Sequence, residues 1–409
     1  MHEMNANPTI LTVRNFGPIE EIRIEFNKYT ILIGEQGSGK STVAKLFSMF
    51  LWLEKSLLRH LTTEKYITQY SRFQKKYCAY HNIDSYFQND SYIHFEGIHY
   101  DFTYSEGQFV IHEKDVENDF HVAKVMYVPA ERNYLSTTDQ ISSLKGLPQS
   151  LQSFSEEYEK SKNTLKDGYD LPFNGIQFEY DSLNKISWIK GKDYKVRLAA
   201  ASSGYQSTLP LVLVSKYLTQ LVNATQTQKE IDPQEKKQLE LEIERIMNDS
   251  QLTEEVKYAM ARNVSSRFSY SHFVNIVEEP EQNLYPDSQM KVLWELLDHA
   301  NETTRNQLLL TTHSPYMINY ISLAVKGWQI SQQSTDRNIH ERIYGIIPEK
   351  SLVDPTNLKI YELKDGHCHM LGATDGIPSD TNFLNDALGE TNVMFDALLE
   401  IEEDIEEAN

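Results

Sequence analysis

One short stretch, Gly34-Glu35-Gln36-Gly37-Ser38-Gly39-Lys40-Ser41, constrains this chain more than any other. It fits the pattern G-x-x-x-x-G-K-[ST], and its surroundings are those the pattern needs. Residues 29–33 form a continuous apolar run of the kind buried on both faces of a parallel sheet. A helical pattern follows from residue 40 to about 61, with Val43, Leu46, Phe47 and Phe50 on its apolar face. Glycines let backbone N–H groups curl around phosphate oxygens. The helix N-terminus adds a favourable field for the anion. Lys40 brings a cation to the outer phosphates, and the Ser41 hydroxyl, followed by Thr42, is placed to reach Mg²⁺. Residues 34–42 are therefore expected to cradle the phosphates of ATP.

Three further segments carry chemistry. Phe273-Val274-Asn275-Ile276-Val277-Glu278-Glu279-Pro280 reads as a buried strand delivering two adjacent carboxylates to the sheet edge where ligands bind. Glu278 is placed to hold Mg²⁺, and Glu279 to polarise the attacking water. A second apolar strand, Leu308-Leu309-Leu310-Thr311-Thr312, ends in His313, a candidate sensor of the γ-phosphate. Ala201-Ser202-Ser203-Gly204-Tyr205-Gln206 opens a helix expected over residues 207–222; small residues there offer N–H groups to an anion, and an ordinary helix cap is the competing reading.

Taken in order, these segments resemble the Walker A, signature, Walker B and switch-histidine series of ABC-type ATPases, over most of residues 9–320. The resemblance implies an α/β fold, an ABC-type P-loop NTPase with a mixed central sheet, an antiparallel β subdomain and a helical signature lobe. It implies a homodimer sandwiching two ATPs, with Ser203 and Gly204, and Gln206 beside them, offered to the nucleotide on the partner's P-loop. Asn283 and Leu284 would lie in the D-loop between the sites. Val13-Arg14-Asn15-Phe16-Gly17-Pro18-Ile19 and Tyr127-Val128-Pro129-Ala130-Glu131-Arg132 are similar to the SMC/RecF/OLD-like branch, especially its compact prokaryotic members. Many of those serve anti-phage defence beside a nuclease or other effector, as in Septu, retron and PARIS systems. Two features depart from the family pattern: Tyr205 stands where the signature has a second glycine, and Walker B reads Glu-Glu-Pro-Glu. Gln140 is the candidate for the glutamine that completes the Mg²⁺ shell.

The expected function is an ATP-driven dimerisation switch that controls a nuclease-like effector or engages DNA. A repair or recombination ATPase acting directly on DNA is the alternative. A transporter ATPase subunit is disfavoured by the degenerate signature and the 163 positions between Lys40 and Ser203. The net charge of −20, from 39 Lys+Arg against 59 Asp+Glu, repels nucleic acid on average, so such contact needs a local basic patch. Two patches qualify: Lys55, Arg59, Lys65, Arg72, Lys75 and Lys76, and Lys185, Lys190, Lys192, Lys195 and Arg197; each also reads as a solvated face. Two cysteines, no signal-peptide pattern and no long apolar stretch point to the cytoplasm and away from a membrane. His367-Cys368-His369 is too compact for a four-ligand metal shell and reads as structural.

The expected organisation is an N-terminal ATPase lobe with a β subdomain over 1–135, a helical signature lobe over 136–265, a C-terminal ATPase lobe over 266–350, and a hairpin with an acidic tail over 351–409. Within the β subdomain, Tyr86, Tyr92, His94 and Ile98 are the expected alternating face, continued by Phe102, Phe109 and Ile111. The tail, with Phe383, Leu384, Leu388, Met394, Phe395 and Leu398 before its acidic run, is expected to dock on a partner.

Overall fold

The computed structural model describes residues 8–116, 122–139, 144–224 and 233–407. Two antiparallel strands, β1 (Thr9–Phe16) and β2 (Ile19–Phe26), lead into β3 (Tyr29–Gly34), and the P-loop then opens α1 (Lys40–Leu58). After the short α2 (Glu64–Thr68) come β4 (Phe87–Glu96), β5 (Tyr100–Ser105), β6 (Gln108–Glu113) and β7 (Ala123–Val128). The lobe that follows holds α3 (Gln149–Asn163), a small sheet of β8 (Tyr169–Asp170), β9 (Gln177–Asp181), β10 (Ile186–Lys190) and β11 (Lys195–Arg197), and α4 (Ser203–Ala224). A helical pair, α5 (Pro233–Met247) and α6 (Glu254–Phe268), returns the chain to β12 (His272–Glu278). Then follow α7 (Pro286–Asn301), β13 (Gln307–Thr312), α8 (Pro315–Gln333), α9 (Arg337–Tyr344), the hairpin β14 (Leu358–Lys364) and β15 (His367–Met370), the short β16 (Ala373–Thr374) and β17 (Ile377–Pro378), and α10 (Phe383–Glu407).

One eleven-stranded sheet organises the molecule, in the order β6-β5-β4-β1-β2-β15-β14-β3-β13-β12-β7. Its half from β14 to β7 is parallel, and every residue of β3 and β12 is buried, as strands covered on both faces must be. The strands β6-β5-β4-β1-β2 form an antiparallel wing, and β15, parallel to β2 and antiparallel to β14, joins the two parts. The fold is thus α/β with a mixed sheet, as expected. Among the described residues no helix is long and apolar enough to cross a membrane.

The wing packs on α1 through stacked rings, Phe26 on Phe47 at 3.7 Å and Phe50 on Phe95 at 4.8 Å between centroids, and on the segment between α2 and β4 through Phe73 on Phe109 at 3.8 Å. The buried face of β4 is Ser91, Ile93 and Phe95, so Tyr92 and His94 lie on the opposite face from the one expected. The aromatic signal misled there because Tyr92 stacks on the Arg14 guanidinium at the surface, 5.1 Å from its ring centre. Glu54, buried in α1, accepts the backbone N–H groups of His99 and Tyr100 at 2.6 and 3.1 Å and so pins the turn between β4 and β5.

The hairpin at 358–370 does not stand outside the ATPase sheet. β14 runs parallel beside β3, with Ile360 opposite Ile31 and Leu363 opposite Gly34, and it buries Ile360 and Leu363. Parallel pairing with a strand more than three hundred residues away leaves no local sequence signature, so the turn was legible and its place in the sheet was not.

Candidate functional site

Three adjacent parallel strands, β3, β13 and β12, end side by side and deliver the P-loop, His313 and the Glu278–Glu279 pair to one edge. Gly34 has φ +143°, and a Cβ there would lie 2.1 Å from the Leu363 carbonyl oxygen. The first loop position must therefore be glycine for two reasons, its backbone angle and the close passage of β14. Gly37 and Gly39 also have positive φ, 82° and 101°, and the loop exposes Glu35, Gln36, Gly37 and Ser41. The Lys40 ammonium is folded into the loop, donating to the carbonyls of Gly34 at 2.8 Å and Glu35 at 2.6 Å and to Ser38 Oγ at 3.3 Å. Burial lowers its pKa to about 8, with Glu279, Glu281, Glu278 and Glu35 acting in the opposite direction. Thr42 is buried behind it.

Glu278 is buried, and its Oε1 has no hydrogen-bond partner at ordinary geometry among the described residues. Burial raises its pKa, while Lys45 and the hydroxyls of Ser41 and Tyr127 favour the charged form. An unanswered carboxylate oxygen beside an exposed serine hydroxyl fits a hard dication that takes oxygen ligands. Ser41 and Glu278 are the residues that would hold Mg²⁺. Gln140 lies outside the described residues.

Glu279 sits at the turn after β12 with φ +45°, uncommon for a non-glycine residue, costing about 1–3 kcal/mol and persisting only where its surroundings impose it. They do. Its N–H donates to the Thr311 carbonyl at 2.9 Å, and its own carbonyl accepts from Arg132 at 2.6 Å. Its Oε1 lies 3.5 Å from His313 Nε2, and that histidine holds the Glu279 pKa below the usual carboxylate range. The carboxylate is therefore ionised and half exposed, in the form that accepts a proton from water.

Two residues that sequence reading did not single out assemble this edge. Arg132, fully buried, donates to four backbone carbonyls: Pro129 at 3.2 Å, Ser207 at 2.9 Å, Glu278 at 2.6 Å and Glu279 at 2.6 Å. Its side chain thus ties the end of β7, the first turns of α4 and the Glu278–Glu279 turn into one unit. Burial lowers its pKa to about 10, so it remains a cation. Glu281 accepts the Thr312 hydroxyl and the His313 N–H, each at 2.7 Å, and fixes the turn that carries the histidine. Both lay in quoted strings, Pro129-Ala130-Glu131-Arg132 and Glu-Glu-Pro-Glu; only the structure gives their partners.

The signature segment lies at the start of α4, four residues earlier than the expected helix. Ser202 and Ser203 are exposed. Gly204 is packed against the Asn283–Leu284 segment of its own chain, where a Cβ would meet the Asn283 carbonyl at 2.8 Å, and Ser207 Oγ donates to the Gln282 carbonyl at 2.9 Å. Tyr205 stacks on Phe173, 5.8 Å between centroids, and its hydroxyl accepts from Asn174. Gln206 is turned inward, donating to the carbonyls of Leu198 and Ala199 at 3.1 Å each, and so is not presented to a nucleotide in this conformation.

The basic patches are spent in part within the chain. Arg59 is fully buried against Glu235 at 2.6 Å, and Lys55 meets the same carboxylate at 3.5 Å. Lys190 and Lys195 pair with Glu179, and Arg197 lies 3.7 Å from Asp139. His367 pairs with Glu20, and no cluster of metal-ligating residues occurs among the described residues.

Residues 9–124 and 256–318 match the family model described as an AAA ATPase domain. The matched segments contain the P-loop, Glu278, Glu279 and His313; Arg132 and the signature fall outside them. No curated protein matches the sequence. Among solved structures the chain is similar to the SMC head domain from Thermotoga maritima, at 11% identity and TM-score 0.34 over 90% of this chain and 99% of that one. It is similar to a dimeric ATP-binding cassette in a post-hydrolysis state bound to ADP and Pi, at 10% identity and TM-score 0.27 over 89% and 100%. It is also similar to the recombination mediator RecF, at 10% identity and TM-score 0.28 over 90% and 100%. At these values no residue role is transferred from any of them.

Proposed function

We propose that this chain binds ATP with Mg²⁺, hydrolyses it, and uses the bound nucleotide to close a head-to-head homodimer. The observation that carries this reading is the convergence of Lys40, Glu278, Glu279 and His313 at the ends of three neighbouring parallel strands. Lys40 exchanges its loop carbonyls for phosphate oxygens. Mg²⁺ held by Ser41 and Glu278 would neutralise charge on those oxygens. Glu279 takes a proton from water as its oxygen attacks the γ-phosphorus and the bond to the ADP oxygen breaks. His313, tied to Glu279 and steadied by Glu281, reads the γ-phosphate. Ser203, exposed at the N-terminus of α4, would meet the partner's nucleotide, and Arg132 links that helix to the catalytic carboxylate.

The biological output, control of a nuclease-like effector in anti-phage defence, rests on the sequence resemblance. It is supported by the exposed Val393, Met394, Phe395, Leu398, Leu399 and Ile401 of α10, an apolar surface for a partner. Phosphate release by the purified chain tests the ATPase reading. Wild type should turn over ATP, Lys40→Ala should bind none, and Glu279→Gln should bind without turnover; wild-type hydrolysis by Glu279→Gln would remove the assigned base.

A further inference from the structure

A cavity of about 920 Å³ lies apart from the P-loop, and none of residues 34–42, Glu278, Glu279 or His313 lines it. Its walls come from α1, the segment between α1 and β4, β7, α3 and the start of α5. The volume is that of a small-molecule site, typically ~300–1,000 Å³.

Its chemistry has two parts. Trp52 and Tyr66, 42% and 41% exposed, bring aromatic rings to the cavity, with Tyr77 tilted against Trp52 at 5.9 Å and the Arg72 guanidinium 4.0 Å from the Tyr66 ring centre. Lys76 is exposed, its ammonium 5.0 and 5.6 Å from the rings of Tyr66 and Tyr77, and among the described residues it has no carboxylate partner. Four lysines and three glutamates line the cavity, a local reversal of sign in a chain of net charge −20. The reversal is felt at the wall. Burial would raise the Tyr270 phenol, but Lys55, Arg59 and Lys124 more than offset it and hold its pKa below the ordinary value. His81 adds an unused polar atom: it is 3% exposed, its Nδ1 has no hydrogen-bond partner, and burial lowers its pKa to about 3, so the ring is neutral. Part-exposed aromatic rings beside a lysine that has no carboxylate partner suit a flat heteroaromatic ring carrying an anion.

We propose that this cavity is a second ligand site for a nucleobase bearing one phosphate, with the base against Trp52, Tyr66 and Tyr77 and the phosphate at Lys76. The same unit occurs as a free mononucleotide and as the phosphorylated end of a nucleic-acid strand. The site does not depend on the ATP reading, so it is tested in the full-length Lys40→Ala chain, where the P-loop lysine is absent. Calorimetric titrations with AMP, GMP, CMP, UMP and dTMP, and with a 5′-phosphorylated oligothymidylate, separate the two sources. Saturable binding of at least one probe, one per chain, is expected. Adding Trp52→Ala or Lys76→Gln should weaken it about tenfold or more, while Trp52→Phe should retain it. Lys76 is exposed, so its variant tests the site even if Trp52→Ala misfolds. Binding of mononucleotides assigns a free metabolite; binding confined to the oligonucleotide assigns a strand end. No saturable binding of any probe at millimolar concentration, or binding indifferent to both Trp52 and Lys76, overturns the proposal.

Discussion

Replacing Arg132 by lysine keeps the positive charge and removes the geometry. The guanidinium spans four carbonyls on three segments, with contacts of 2.6 Å to both Glu278 and Glu279 and 2.9 Å to Ser207. A single ammonium has three donors radiating from one nitrogen and cannot cover all four acceptors. At least one carbonyl loses its partner, at a cost of about 1–3 kcal/mol. A domain stable by about 5–15 kcal/mol survives this, with a lowered urea midpoint. The functional effect should be larger than the structural one. Without its clamp, Glu279 is free to leave φ +45° for an ordinary backbone angle, and its carboxylate moves with it. A displacement of about 1 Å from the attacking water costs about a hundredfold in rate. The Lys40 loop is untouched, so ATP affinity should stay within about threefold of wild type while kcat falls. Equilibrium nucleotide binding, single-turnover hydrolysis and urea unfolding measured on the same preparation separate these effects. A lowered urea midpoint with unchanged kcat would make Arg132 a stabilising residue only. A loss of ATP affinity equal to the loss of kcat would refute the claim that it acts through Glu279.

The remaining expectations follow from the same contacts. In the nucleotide-free chain the Lys40 pKa is lowered from 10.5 to about 8, so between those values the unfolded state holds the extra proton and Lys40's contribution to stability rises with pH. ATP needs the ammonium, so calorimetric affinity should fall above pH 8 by up to about tenfold per unit; a flat profile would refute this. Deleting residues 391–409, whose described side chains are exposed, should leave ATP hydrolysis intact and abolish effector binding in a pull-down. Extending the deletion to residue 383 should destabilise the protein, because Leu384 is buried and the Phe383 N–H bonds Glu362. Ser203→Arg and Lys40→Ala chains, each inactive alone, should partly recover hydrolysis when mixed, since one composite site per heterodimer is intact; no recovery from proven heterodimers would count against the trans arrangement.

What was legible in the sequence was what is local. A buried strand, a glycine loop and a helix start are contiguous, and so are two carboxylates at the end of an apolar run. The places where the chain meets itself at long range were not legible. Nothing near Gly34 announces that Leu363 passes within van der Waals contact of it. Nothing near Arg132 announces that its acceptors are backbone atoms of residues 207, 278 and 279, because carbonyl groups are present at every residue and leave no mark on the sequence. Tyr205 looked like a defect in the signature; its ring has a packing partner in Phe173, a contact across the helical lobe. Charge counting likewise located the basic patches and could not say that Arg59, Lys55, Lys190 and Lys195 are answered by Glu235 and Glu179.

The central claim is that ATP joins two copies of this chain and that Glu279 ends the joined state. It is tested most directly by the solution mass of the Glu279→Gln chain with saturating ATP and Mg²⁺, measured by light scattering after gel filtration. The account predicts a shift from the 47.4 kDa monomer without nucleotide to a stable species of twice that mass with ATP, and no such shift when Lys40→Ala is added. A Glu279→Gln chain that binds ATP, fails to hydrolyse it and remains at the monomer mass would contradict it.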